Sequence, residues 1–233
     1  MLKQLLFILF LVVFSNTLFS QKEIKLDTTQ RLLFPKTFGE KKWKFFFDFD
    51  SRISQFNGQK IKINGVRIGA THRGVNRFGL GLYSLKEKIK VEGLKANKPD
   101  AIQPSEVYIS FNFTTLFFEK VLYKTKRWEI ALPTYYGLGS INPEYRNNLG
   151  NLKSLKKTSF NVLGLGVNTN FYIYPWLYPR IMFGYRFAFN ADDKISNAFT
   201  KPFFAFGIGI NPWGAFLHYK DWKKEKKEKP LTQ

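Results

Sequence analysis

The stretch WKFFFDFDSRI, from Trp43 to Ile53, sets Trp43, Phe45, Phe47, Phe49 and Ile53 in alternate positions, with Lys44, Asp48, Asp50 and Arg52 between them. Alternate residues of a strand point to opposite faces, so one face needs apolar surroundings and the other needs water or compensating charge. A soluble core cannot supply both. The same two-faced pattern recurs along the chain, and long apolar blocks do not: 18% of residues are aromatic, yet mean hydropathy is only −0.25. Period-two interleaving of this kind predicts strands rather than helices.

Eight such segments can be marked. They are residues 43–53, 61–72, 77–85, 107–118, 127–139, 158–173, 178–190 and 201–210. Within 61–72 the apolar phase changes from Ile61 and Ile63 to Val66, Ile68 and Ala70, which predicts a bulge at Gly65. Pro133 cannot donate to a ladder and is expected at a strand end, an edge or a bulge. The connections are tight at RGVN and YPWL. They are longer at 86–106 and 140–157, on the opposite end. Short turns at one end and longer loops at the other are the rhythm of outer-membrane barrels.

An all-β, closed, antiparallel up-and-down transmembrane barrel of about eight strands follows. In hydrocarbon every backbone N–H and C=O must be paired internally, and without helices only a closed sheet achieves that. The lumen of so small a barrel is filled by side chains. Asp48, Asp50, Arg52, Arg67, Glu129, Arg180 and Arg186 are expected to form a charge network inside it. Phe45, Phe47, Phe49, Phe111, Phe113, Ile130 and Phe183 are expected to face lipid. Trp43, Trp128, Trp176 and Trp213 would form an interfacial girdle, joined by Tyr136 and Tyr178. Glycines 79, 81, 137 and 184 suit the narrow interior better than the exterior. A soluble lipocalin-like carrier with the apolar faces turned inward is the competing arrangement of the same pattern.

The ends of the chain carry their own signals. Residues 1–20 have the n-, h- and small-residue regions of a secretory signal, with cleavage expected after Ser20, and 21–42 read as a leader before the barrel at 43–212. No cysteine is present, which excludes lipoprotein acylation, disulfides and Cys-ligated zinc. Residues 213–233 form a basic tail in which Trp213, Phe216, Leu217 and Trp222 could line one side of a short interfacial helix. The net charge is +20, but the lysines are spread over loops and tail. Outer-membrane lipids and lipopolysaccharide phosphates are therefore the expected partners, with a surface ligand or envelope protein open and nucleic acid excluded.

No cofactor, metal or catalytic residue is expected. His72 and His218 are the only histidines, and His72 adjoins the tight RGVN turn rather than an outer rim. Asp48 and Asp50 share one strand face, where compensation of Arg52 and Arg67 explains them, and Asp192 and Asp193 lack calcium-loop spacing. The alternative to a non-enzymatic barrel is a lipid-modifying barrel enzyme using His72.

Taken together, FSQ at the signal's end, RFGLGLY after a tight turn, KRWEIALP, and GYRF before a last strand KPFFAFGIGI resemble the small eight-stranded outer-membrane β-barrels of Gram-negative bacteria, particularly the Bacteroidota kind. The resemblance spans most of residues 40–212 and implies architecture and location, with no functional residue carried over. The chain departs from that pattern by running on past the last strand as NPWGAFLHYKDWKKEKKEKPLTQ.

Overall fold

The structure, a computed structural model, describes residues 43–228 apart from 57, 92–106, 126 and 192. The signal, the leader, most of the 86–106 loop and the end of the tail lie outside the described residues.

Among the described residues ten strands form one antiparallel sheet: β1 (Trp43–Phe56), β2 (Gln59–His72), β3 (Asn76–Leu85), β4 (Ile89–Val91), β5 (Val107–Lys124), β6 (Trp128–Arg146), β7 (Leu152–Ser154), β8 (Thr158–Phe171), β9 (Leu177–Phe189) and β10 (Lys201–Ile210). Helix α1 (Asp193–Phe199) precedes β10 and helix α2 (Pro212–Glu228) follows it. Eight strands make the wall. β3 pairs with β5, β5 with β6, β6 with β8, and β10 returns to β1, so the sheet closes. The three-residue strands β4 and β7 extend one rim against β5 and β6. We call that rim upper, and the one carrying Trp43 and Ile210 lower.

One rung can be followed around the wall from Trp43 through His72, Asn76, Lys120 and Leu132, then on the β6–β8 register to Val167, Phe183 and Phe204. It returns to β1 at Ile53, ten residues above its start. Eight strands with that stagger tilt by about 40–45° from the barrel axis.

Three elements differ from the sequence expectation. The register of Gly65 is unbroken on both sides, opposite Asp50 and Tyr83, so there is no bulge there. The irregularity lies in β5, between Val121 and Tyr123. Strand β5 runs on through the charged stretch expected to be a link, and β6 runs to Arg146, so the 140–157 loop shrinks to a turn at 147–151 followed by β7. Pro133 sits inside β6 opposite Glu119, where pairing with β8 passes from Ala131 to Thr134. The RGVN turn is as tight as expected: Arg73 and Gly74 adopt φ of 53° and 72°, and the Val75 N–H donates to the His72 carbonyl (3.1 Å).

Candidate functional site

The outer wall carries a belt. On β6 the outward positions are Trp128, Ile130, Leu132, Thr134, Tyr136 and Leu138, after which Ser140, Asn142, Glu144 and Arg146 take over. The ten steps from Trp128 to Leu138, at about 3.3 Å each on a strand tilted near 43°, give a belt roughly 24 Å tall, close to the band of about 25 Å on outer-membrane barrels. Phe45 (68% exposed), Phe49, Ile130 and Phe183 (64%) project from this belt, and Phe47 is half-exposed on the same face, 4.9 Å from Phe49. Such a surface in water would be an aggregation liability, whereas in lipid it is solvated.

Two phenylalanines do not belong to it. Phe111 and Phe113, expected to face lipid, point inward and are buried with Phe160 and Phe199. Strand β5 alternates as its sequence predicts, but its upper half stands above the belt. There Tyr108, Ser110 and Asn112 face outward and the apolar set turns in. The same crossing explains β2: Ile61 and Ile63 face in above it, and Val66 and Ile68 face out below it.

The lower rim has its tryptophans. Trp43 and Trp128 are half-exposed at strand starts, against His72 (4.6 Å between ring centroids) and Phe171 (4.8 Å). Trp176 lies in the β8–β9 turn, stacked on Tyr174, and Trp213 opens α2 half-exposed. Tyr136 and Tyr178 are not part of this girdle. Tyr136 sits mid-wall opposite Leu116 and Leu163, and Tyr178 is buried in the lumen.

The lumen at belt height is charged. All seven residues expected inside, Asp48, Asp50, Arg52, Arg67, Glu129, Arg180 and Arg186, are buried there. The centre of the network is a residue sequence reasoning missed, Glu119. Its carboxylate accepts from Arg67 (3.0 Å), Arg77 (2.8 Å) and Asn168 (3.0 Å), with Arg180 3.7 Å away. Arg77 was missed too, and reaches on to Glu129 (2.5 Å). Glu129 also accepts from Asn170 (2.8 Å) and Tyr172 (3.0 Å), and Lys124 lies 3.2 Å from it. Asp48 accepts from Arg180 (2.7 Å) and Tyr178 (2.8 Å). Buried charges persist only when paired and hydrogen-bonded in this way.

A second cluster sits higher. Asp50 accepts from Arg52 (3.0 Å) and from the Tyr83 hydroxyl (3.0 Å), and Arg52 hydrogen-bonds Tyr83. The Arg52 guanidinium lies 3.9 Å from the Tyr83 ring centre, 4.8 Å from that of Tyr135 and 5.0 Å from that of Phe203. Inward glycines make room for these rings: a Cβ at Gly65 would collide with Tyr83, one at Gly164 with Tyr135 and one at Gly209 with Tyr178. Arg186 donates to the Phe199 carbonyl (3.1 Å) and to Ser54 (3.4 Å), and no carboxylate pairs with it among the described residues.

Above the charges the interior turns apolar and closes. Phe199, at the end of α1, is fully buried, with ring centroids 4.4 Å from Phe111, 4.9 Å from Phe160 and 5.0 Å from Phe56. Among the described residues, a charged core beneath an aromatic plug fills the lumen with side chains. His72 lies at the lower rim beside Trp43, and His218 lies on α2, 5.8 Å from Tyr174.

A closed eight-stranded barrel with an apolar exterior of membrane height and a filled polar interior is an integral membrane β-barrel of the outer-membrane type. No known protein family matches the sequence, and no curated protein sequence does either. Among solved structures the chain is similar to Neisserial surface protein A (11% identity, 73% of this chain and 97% of that one, TM-score 0.43). It is similar also to the N-terminal β-barrel domain of Pseudomonas aeruginosa OprF (11%, 71% and 96%, 0.42) and to a major outer membrane protein from Thermus thermophilus (13%, 71% and 98%, 0.47). The likeness is one of barrel architecture, at identities too low to carry a function.

Proposed function

We propose that this chain is a non-enzymatic barrel of the outer membrane, of the Bacteroidota-type kind its strand signatures resemble, with a role in envelope architecture or surface binding. The lower rim faces the periplasm, and the upper rim with β4, β7 and α1 faces outward among lipopolysaccharide. One observation carries the reading: the apolar exterior and the ionised interior occupy the same height of the same wall, which only a lipid surround and a sealed lumen accommodate together. Transport is disfavoured by the Phe199 plug. Catalysis on lipid is disfavoured by the position of His72, at the rim away from the outer surface.

Fractionation and electrophoresis test this. The protein is expected in detergent-extracted outer membranes, with a band that shifts on boiling, and without stepwise conductance in planar bilayers. A freely soluble periplasmic protein, or discrete channel openings, would refute it. An altered lipid A profile in cells expressing wild-type protein but not His72→Ala would favour an enzyme instead.

A further inference from the structure

The wall formed by β2 and β3 differs from the rest of the exterior, and the geometry points to a site there for one phosphorylated glycolipid of the outer leaflet. Three chemistries are stacked along it. At the top of the belt, an open groove of about 580 Å³ is floored by Phe49, Val66 and Leu82. The same groove is edged by a rung of hydroxyls and amides that includes Asn64, Ser84 and Asn112. Ser51 donates to Asn64 (3.0 Å), Asn64 pairs with Ser84, Ser84 with Asn112, and Ser140 donates to Asn112 (3.0 Å).

Higher still, a cleft of about 460 Å³ is ringed by Lys60, Lys62, Lys86, Lys88 and Lys90. Its walls are tied together by the Lys86 N–H donating to the Lys62 carbonyl (2.9 Å) and the Gln59 amide donating to the Lys90 carbonyl (3.1 Å). Two carboxylates stand nearby: Glu144, paired with Lys88 (2.5 Å), and the exposed Glu87, 3.7 Å from Lys86. Among the described residues, Lys60, Lys62, Lys86 and Lys88 against Glu87 and Glu144 leave the cleft cationic.

Apolar, then hydroxyl and amide, then cationic is the order of acyl chain, sugar and phosphate in a phosphorylated glycolipid. The heights agree. Lys62 stands four residues above Val66, roughly 10 Å along the barrel axis, and the headgroup layer extends about 5–8 Å beyond the hydrocarbon. Across the barrel from β3, β9 carries Tyr185 and Phe187 on its outer face. The inference rests on the membrane orientation proposed above.

The test uses the full chain purified in detergent and native mass spectrometry of added lipids. One variant combines Lys60→Gln, Lys62→Gln and Lys86→Gln. A control combines Lys156→Gln and Lys157→Gln, exposed residues outside the cleft. Diphosphoryl lipid A is expected to bind wild type and control alike, and the triple variant about 100-fold more weakly, each headgroup-level lysine being worth about a factor of five. Dephosphorylated lipid A and inorganic phosphate are expected to bind poorly. Equal retention by the triple variant, equal loss in the control, or equally tight binding of phosphatidylglycerol or inorganic phosphate would overturn the site. If these outcomes occur in a heat-modifiable barrel, the glycolipid site alone fails. A chain that shows no such barrel at all refutes the membrane assignment instead.

Discussion

The lower and upper halves of the barrel are built from the same alternating strands and are inside out with respect to each other. Below the level of Leu138, Phe45, Phe49 and Phe183 face out while Asp48, Glu119 and Arg180 face in. Above it Lys60, Lys62 and Asn112 face out, while Ile61, Phe111 and Phe160 face in. The lower half is a membrane protein and the upper half is an ordinary water-surrounded β-barrel, with no break in hydrogen bonding between them. Alternation therefore specifies that a strand has two unlike faces, and the solvent at each height decides which face goes where.

Substitutions can break or sharpen this contrast. The largest effect is expected for Glu119→Gln, which leaves Arg67, Arg77 and Arg180 short of a carboxylate. Breaking so buried a network costs about 3–5 kcal/mol, visible as a lower unfolding midpoint in urea and micelles. Phe199→Ala, in the dry upper half, is expected to cost about 3 kcal/mol by emptying the plug, measured in the same titration. Phe183→Lys, on the belt, should cost about 2–3 kcal/mol because the charge enters hydrocarbon. Asn112→Lys, facing outward above the belt, should cost no more than about 1 kcal/mol. If Phe183→Lys and Asn112→Lys cost the same, the boundary between the halves is misplaced.

The strand count, the closure and seven of the lumen residues were legible because belt-height alternation repeats in every wall strand. What was missed has physical causes. Phe111 and Phe113 alternate as cleanly as Phe45 and Phe47, and nothing local says that β5 rises out of the lipid. Glu119 sits in EKVLYKTK, whose charges resemble a solvated link until Val121 and Glu119 are found buried in one strand. Residues 140–146 looked like loop because Ser140, Asn142, Glu144 and Arg146 face water. Ile141 and Tyr145 between them are buried. The shift at Gly65 was a true signal with another cause, the change of surroundings rather than of backbone.

The central charge cluster has a bearing on how the chain enters a bilayer. Asp48, Arg67, Arg77, Glu119, Glu129, Asn168 and Arg180 come from seven of the eight wall strands, while β10 supplies Gly207 and Gly209 and leaves space. Asp48 and Arg67 pair across β1–β2, Arg77 and Glu119 across β3–β5 and Lys124 and Glu129 across β5–β6, whereas Arg180 on β9 finds its carboxylates, Asp48 and Glu119, only across the lumen on β1 and β5. A β8–β9–β10 sheet entering oil alone would carry Arg180 bare, so joining the first and last strands while water still fills the ring spares that one cation the passage.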